Sequence, residues 1–349
     1  FKDFDLMLFD KVVAFDHKRK KIVLIVNIRC DEPESAYHKG ERELNTMEEL
    51  LKRGRSDEKT DGVLKSPLRP LFDREHYGNI VKKAKEYIRE GDIFQVVLSN
   101  CFEAQYEGSL LHTYRTLRDT NPSPYMFYFS GDEMEIAGAS PETLVKLKDG
   151  VLYTFPLAGT RPRGKTKAED ERLAHELLAD DKEKAEHNML VDLGRNDIGK
   201  ISEFNSVNVT EYMNILSFSH VMHIGSTVRG LLRKDCDALD AIAAVLPAGT
   251  LSGAPKIRAC EIIDELENNK RGLYGGAIGY IDFSGNLDMC IAIRVAYQKN
   301  HKVFVRSGAG IVADSIPARE YVECLHKAKA VVNALESVNE GVANGTSNR

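Results

Sequence analysis

Short runs of pleat-like alternation that arrive in clusters, rather than singly between helices, restrict what this chain can fold into more than any other feature. Met126 to Phe129, Glu135 to Ala137 and Thr143 to Leu147 follow one another across turn-length gaps, and residues 274 to 306 alternate like a meander. Strands so closely spaced pair antiparallel, because a parallel partner needs a crossover of a dozen or more residues. Helical periodicity separates the clusters. It is read from Tyr77 to Glu90 (followed by an apolar strand, Ile93 to Leu98), near Ser109 to Arg118, over 166–193, 237–246 and 255–268, and from near Pro317 to about Ser337. The expectation is an α+β fold, an α/β sandwich, and not a repeating βαβ chain.

The first residues have a separate organisation. Val12 to Phe15 and Lys21 to Val26 flank the polar turn Asp16 to Lys20 and predict a β-hairpin, and residues 40–54 predict a helix. Residues 55–70 are charged, contain Gly and Pro, and predict a linker. The expected division is therefore 1–66 as the remnant of a β-rich regulatory region plus linker, 67–338 as the catalytic domain, and 339–349 as a flexible tail. Because the chain opens on Phe1 inside a strand-like context, it is expected to begin within a longer protein.

Composition narrows the function classes. With 349 residues, 42% of them apolar, a net charge of −5 and interspersed signs, the chain presents no basic stripe for nucleic acid. No stretch reaches the roughly 20 apolar residues of a spanning helix, and no secretory leader is present, so a cytoplasmic location is expected. The six cysteines stand singly, without the paired spacing of a zinc or redox site.

Two helical segments carry paired acids. Glu183, Glu186 and His187 fall on one face, and Glu320 and Glu323 repeat the arrangement near the C-terminus. Oxygen ligands of this kind suit Mg²⁺, although Glu323, four residues before Lys327, also fits an ordinary surface ion pair. Three glycine-rich segments read as turns able to approach an anion: Pro156 to Thr160, Leu246 to Gly253 and Ser307 to Gly310. With Arg294, Arg306 and Lys327 they point to a carboxylate-bearing ligand.

The ordered motifs PLAGTRPRG (Pro156 to Gly164), GASPE (Gly138 to Glu142), KEKAEHNMLVDLGRNDIGK (Lys182 to Lys200), SHVMHI (Ser219 to Ile224), LPAGTLSGAPKIRA (Leu246 to Ala259), YGGAIGY (Tyr274 to Tyr280) and GAGIVADS (Gly308 to Ser315) resemble those of the chorismate-utilising enzymes. The resemblance spans nearly all of residues 73–338. It implies a two-domain sandwich with the active site in the cleft between its sheets. It implies Mg²⁺ held by Glu186 and Glu323, supported by Glu183 and Glu320. Gly159, Thr160, Tyr274, Arg294, Gly308, Ala309, Gly310 and Lys327 would hold chorismate, with Glu142 as general acid and Thr250 as a further pocket residue. His223 would take the C2 proton in the elimination step, ahead of the less favoured His220.

Two positions bear on the nucleophile. Gln95 stands where water-adding relatives carry a lysine base, and an amide cannot act as one. Ala158 stands where aminodeoxychorismate synthases carry a nucleophilic lysine. The chain therefore resembles the anthranilate-forming, component I branch, which takes ammonia from a glutamine amidotransferase partner and releases pyruvate. Aminodeoxyisochorismate synthase, aminodeoxychorismate synthase and a non-catalytic chorismate-binding subunit are the alternatives. Pro124, Tyr125 and Met126 resemble half of the family's tryptophan pocket. The other half is an N-terminal segment not found in this sequence, so tryptophan is expected to inhibit the full-length protein and to act weakly here.

Overall fold

The structure, a computed structural model, describes residues 2–54, 60–218 and 221–343, with side chains described as far as Ser337. It divides into two compact units, residues 1–59 and 60–349. In the first, β1 (Lys11–Asp16) and β2 (Lys21–Val26) form the expected antiparallel hairpin, followed by helix α1 (Pro33–Arg53), which starts earlier than its periodicity predicts. Pro33 at the first turn explains that start: its missing N–H is one the helix leaves unpaired anyway.

The second unit opens with two short strands inside the expected linker, β3 (Val63–Leu64) and β4 (Arg69–Pro70), both paired to the long β5 (Gln95–Glu107). Residues 55–59 of that linker lie outside the described residues, as does most of the expected tail. Between these strands runs α2 (Arg74–Glu90), capped by the Asp73 carboxylate on the His76 N–H at 2.8 Å and stopped by the left-handed Gly91. Next come α3 (Leu111–Thr120), β6 (Tyr125–Ser130), β7 (Met134–Ser140), β8 (Thr143–Lys148), β9 (Val151–Thr154) and β10 (Leu157–Pro162).

The predicted continuous helix over 166–193 is two helices, α4 (Lys167–Ala179) and α5 (Asp181–Gly199). Asp180 separates them: it leaves helical geometry and accepts from the N–H groups of Lys182 and Glu183 as the cap of α5. The remainder is β11 (Asn208–Ser217), β12 (Val221–Leu231), α6 (Ala238–Val245), β13 (Gly253–Ala254), α7 (Lys256–Glu267), β14 (Ala277–Ile281), β15 (Leu287–Ile291), β16 (Val295–Lys299), β17 (Lys302–Ile311) and α8 (Pro317–Ala343).

Among the described residues, β10-β12-β9-β8-β15-β14, with β11 beside β12, form one seven-stranded sheet. A second, eight-stranded sheet runs β13-β5-β17-β16-β7-β6, with β3 and β4 beside β5. Their ladders are antiparallel, as the clustered strands predict. Helices α5 and α6 cover the first sheet around Leu152, Val191, Ile242 and Leu287. On the second, α2 and α7 pack over β5 and β17, and α3 and α8 around Phe102, Leu117, Val305 and Leu335. Ile278, Cys290 and Ala292 pack with Ile136, Val295 and Tyr297, which joins the two sheets. No described helix is long and apolar enough to cross a membrane.

Candidate active site

Two of the points where the chain passes between the sheets are neighbours. One joins β7 to β8 through Pro141 and Glu142; the other joins β15 to β16 through Ala292, Ile293 and Arg294. They are laced together: the Ile291 N–H donates to the Glu142 carbonyl at 3.0 Å, the Ser140 hydroxyl to the Ile291 carbonyl at 2.7 Å, and the Ala139 N–H to the Arg294 carbonyl at 3.1 Å. Arg294 holds a left-handed backbone with φ +50°, uncommon for a side-chain-bearing residue.

Glu142 keeps only a minor part of its surface open, and burial pushes its carboxyl pKa up. Thr250, Lys327 and Arg294 oppose that rise. The Thr250 hydroxyl stands beside the carboxyl, yet it is buried without a hydrogen bond of ordinary geometry. The Arg294 guanidinium is in turn pushed down by surrounding protein and supported by the Glu142 charge, while the residue as a whole keeps an exposed face. An acid whose proton is held to higher pH than an ordinary glutamate's thus lies near two cations, an arrangement suited to protonating a leaving group beside a bound anion.

A second group forms on β10, β12 and α5. His223 Nδ1 lies 2.7 Å from the Gly159 carbonyl and 3.2 Å from the Thr160 hydroxyl. Gly159 has φ +64°, and a Cβ there would approach Glu183 Oε2 to 3.1 Å and Leu177 to 2.9 Å. Glycine is therefore required twice, for backbone and for space. Sequence reading missed Arg161, which holds Glu183 and Asp180 at 3.4 and 3.1 Å; its place inside PLAGTRPRG was the available signal.

The third group is on β17 and the segment after α7. Ser307 to Gly310 and Pro156 to Thr160, expected as turns, lie largely within strands β17 and β10; only the Leu246–Gly253 segment is mainly irregular, with a 3-10 turn over Gly249–Leu251. The glycines serve close approach instead. A Cβ on Gly308 would stand 2.9 Å from the Tyr274 hydroxyl, and one on Gly310 would stand 2.9 Å from Gln95 Nε2. Tyr274 and Gln95 are both buried, and Gln95 Oε1 has no hydrogen-bond partner. Arg271 lies 5.7 Å from the centroid of the Tyr274 ring.

The acids of α5 and α8 lie near enough to influence one another's charge. Burial raises the pKa of Glu186, and the charges of Glu183 and Glu323 raise it further, opposed by Lys182 and Lys327. Like-charged oxygen donors that raise one another's pKa from two helices have the chemistry a hard divalent cation relieves. Glu323 nevertheless pairs with Lys327 at 3.1 Å with both half exposed, as the surface reading of that spacing predicts. Among the described residues no three His, Cys, Asp or Glu side chains are gathered closely enough to grip an ion. Glu320, one turn earlier on α8, acts on Cys324.

Other expected members fall elsewhere. His187 is wholly buried, with Nε2 2.6 Å from the Ser226 hydroxyl. Arg306 is buried and its guanidinium is paired with Glu267 at 3.2 Å, inside the protein. His220 lies outside the described residues. Pro124 precedes β6, at the edge of the eight-stranded sheet, and there the Tyr125 hydroxyl lies 2.8 Å from the Thr143 hydroxyl and donates to Asp288 at 2.7 Å. Met126 packs against the α3–α8 core.

Residues 1–333 match the family model described as chorismate binding enzyme. Over 344 residues the chain is 48% identical to anthranilate synthase component 1 of Aquifex aeolicus, covering 97% of this chain and 69% of that protein. It is 49% identical to the same component from Methanothermobacter thermautotrophicus over 98% of this chain and 70% of that protein. The solved anthranilate synthase component I of Streptococcus pneumoniae superposes with a TM-score of 0.82 at 45% identity, over 93% of this chain and 72% of that one. The menaquinone-specific isochorismate synthase of Escherichia coli, 24% identical with a TM-score of 0.72 over 84% of this chain and 69% of that one, shares the fold. With motif order, two-sheet architecture and relatives in agreement, this chain belongs to the chorismate-binding enzyme family, within its anthranilate synthase component 1 branch.

Proposed function

We propose that this chain converts chorismate and ammonia to anthranilate and pyruvate, with ammonia supplied by a glutamine amidotransferase component. The observation that carries this reading is the enclosure of Glu142 beside Arg294, Lys327 and Thr250 where the chain crosses between sheets. Burial keeps its carboxyl protonated to higher pH than an ordinary glutamate, which fits it to protonate the C4 hydroxyl as a nucleophile enters at C2. Arg294 presents a planar fork suited to a carboxylate, and Lys327 adds a second cation near it. Gly308, Ala309 and Gly310 bring backbone close to the ligand, beside the Tyr274 hydroxyl, and Gly159 and Thr160 border it from β10. Gln95, alongside Gly310, cannot deprotonate water, and Ala158 cannot form a covalent adduct, so direct attack by ammonia is the route left open.

His223 takes the C2 proton in the second step, which aromatises the ring as pyruvate leaves; its Nδ1 is held by the Gly159 carbonyl, leaving Nε2 as the base. Glu186 and Glu323, supported by Glu183 and Glu320, would hold Mg²⁺. When bound, that ion supplies positive charge to a substrate carboxylate and relieves the mutual repulsion of these acids. Tryptophan acts as feedback inhibitor of the full-length protein through Pro124, Tyr125 and Met126. Titrating tryptophan against wild type and Met126→Ala, at both chain lengths, checks this.

The deciding experiment mixes the purified chain with chorismate, Mg²⁺ and ammonium. Fluorescent anthranilate and equimolar pyruvate are expected, with glutamine ineffective as nitrogen source until the partner is added. Accumulation of aminodeoxyisochorismate without pyruvate, or of isochorismate, would reject the assignment.

A further inference from the structure

Beside Glu142 a cavity of about 60 Å³ opens into the core of the seven-stranded sheet. Its polar walls are Glu142, Thr143, Thr154, Asp197 and Thr250, the Thr143 hydroxyl being paired with that of Tyr125; Leu190 and Ile291 are among the apolar ones. Gly159, Tyr274, Arg294 and Gly308, proposed above to hold chorismate, do not line it, so the cavity lies beyond the substrate site and touches it at Glu142 and Thr250. Two hydroxyls in its walls, Thr154 Oγ1 and Thr250 Oγ1, are buried without a hydrogen bond of ordinary geometry, Thr250 standing beside the Glu142 carboxyl, and Thr154 is only 7% exposed. Buried hydroxyls left unpaired are costly and rare, so a wall holding two of them calls for small polar occupants. At roughly 15 Å³ for each water, the space takes about four.

The opposite end of this polar line reaches solvent. Asp197 is 6% exposed and accepts from Lys256 Nζ at 2.7 Å and from Lys200 Nζ at 3.4 Å. The Lys200 side chain is 48% exposed.

We propose that this cavity holds a file of waters that returns a proton to Glu142 after each turnover, with Thr154 and Asp197 as positioning residues for the file. The inference rests on the reading of Glu142 as the general acid. In that step Glu142 gives its proton to the C4 oxygen, the C4–O bond breaks, and water departs, leaving a carboxylate. The C2–N bond forms at the same time, and the entering ammonia then loses its surplus proton to solvent. One proton thus leaves the reacting nitrogen and one is returned to Glu142, so the cycle closes without any further reactant. A threonine hydroxyl both donates and accepts, which a relay requires and a valine methyl cannot supply.

The test uses two substitutions outside the substrate-holding set. Thr154→Val removes the hydroxyl at nearly constant shape, and Gly194→Ala places a Cβ 2.8 Å from Thr154 Oγ1 and narrows the cavity. Both are expected to lower kcat about tenfold, since proton return becomes limiting, and to leave KM for chorismate unchanged. The solvent deuterium isotope effect on kcat is expected to rise, and Thr154→Ser to restore both values; a purely structural defect would shift the melting temperature and not the isotope effect. Glu142→Gln keeps the two readings apart. If it stays active, the acid assignment fails and takes the relay with it. If it is inactive while Thr154→Val and Gly194→Ala keep wild-type kcat and isotope effect, the relay alone is overturned. A high-resolution crystal structure is expected to show ordered water bonded to the Thr154 and Thr250 hydroxyls, and a dry cavity would overturn the relay as well.

Discussion

Glu267 and Glu142 are both glutamates enclosed by protein near arginine, yet they are treated in opposite ways. Glu267, 2% exposed, accepts from the Ser99 N–H at 2.7 Å, the Ser99 hydroxyl at 3.0 Å, Arg271 Nε at 3.0 Å and Arg306 Nη1 at 3.2 Å. Arg306 and Arg271 are themselves tied to backbone carbonyls of Lys270, Leu251 and Val97, and only Arg306 Nε has no partner. Apart from Arg306 Nε that cluster is closed: its donors and acceptors satisfy one another and fasten α7 to β5 and β17. Around Glu142 no ion pair of its own forms: Lys327 is shared with Glu323, the carboxyl is pushed toward the protonated form, and the Thr250 hydroxyl beside it has no hydrogen bond of ordinary geometry. A desolvated charge saturated with hydrogen bonds is architecture, whereas one held beside unsaturated partners is ready to interact with something else.

The comparison can be broken most forcefully at Glu142. Replacing it with Gln is expected to lower kcat by roughly 10²–10⁴-fold, the usual contribution of a positioned acid, with the melting temperature preserved. The pH dependence has a definite sign. Because the folded pKa is raised, the proton is held up to that higher value, so wild-type kcat falls as pH rises through it. The same shift makes Glu142's contribution to folding fully present below the ordinary carboxyl pKa and lost through the raised one, a loss Glu142→Gln abolishes. A pH–rate profile and a pH series of urea melts read both, and an unchanged alkaline limb in active Glu142→Gln would reject the contrast.

Glu267→Gln should behave in the reverse manner. Leaving two arginines with an uncompensated charge is expected to cost about 3–5 kcal/mol of stability, measured by urea unfolding at neutral pH. The fraction that remains folded is expected to turn over nearly normally. Unaltered stability would show that the closed cluster is not the fastening inferred here.

Glu186→Gln lies between these extremes. It is expected to reduce turnover roughly a hundredfold at ordinary Mg²⁺ and to shift Mg²⁺ titrations to higher concentration, with little change in unfolding. Near-normal turnover would return Glu186 and Glu323 to a surface role. The smallest effect is expected for Tyr274→Phe: losing one hydroxyl contact, about 1 kcal/mol, should raise KM for chorismate about fivefold while kcat holds.

How far these residues could be read in advance depended on whether the information was local. The hairpin of β1 and β2, the end of α2 at Glu90 and the antiparallel strands within 274–306 were legible because turn residues and alternation lie next to what they control, although those strands divide between the two sheets and α2 starts before the expected Tyr77. Gly308 and Gly310 were legible as special but not as strand residues, since the groups occupying their Cβ space, the Tyr274 hydroxyl and the Gln95 amide, come from distant parts of the chain. The break at Asp180 was hidden because, apart from Asp181, the residues around it favour helix, and its cap to Lys182 and Glu183 separates α4 from α5. Arg306 misled for a related reason: its partner Glu267 lies on another element, and charge alone does not reveal burial. Motif resemblance named Glu142 and Arg294, whereas no pattern within either segment marks a strand leaving one sheet for another.

Those two crossings also govern how the chain can change length. Pro141 and Glu142 alone separate β7 from β8, and one inserted residue there would turn every side chain of β8 to the opposite face. The hairpins are more permissive. Asp149-Gly150 and Asn300-His301 turn with left-handed backbones, φ 51° and 77°, then 52° and 58°, and added residues at such surface tips loop outward without altering a register. Insertions and deletions should therefore accumulate at the rims of the two sheets, leaving the spacing between acid and guanidinium as the molecule's fixed ruler.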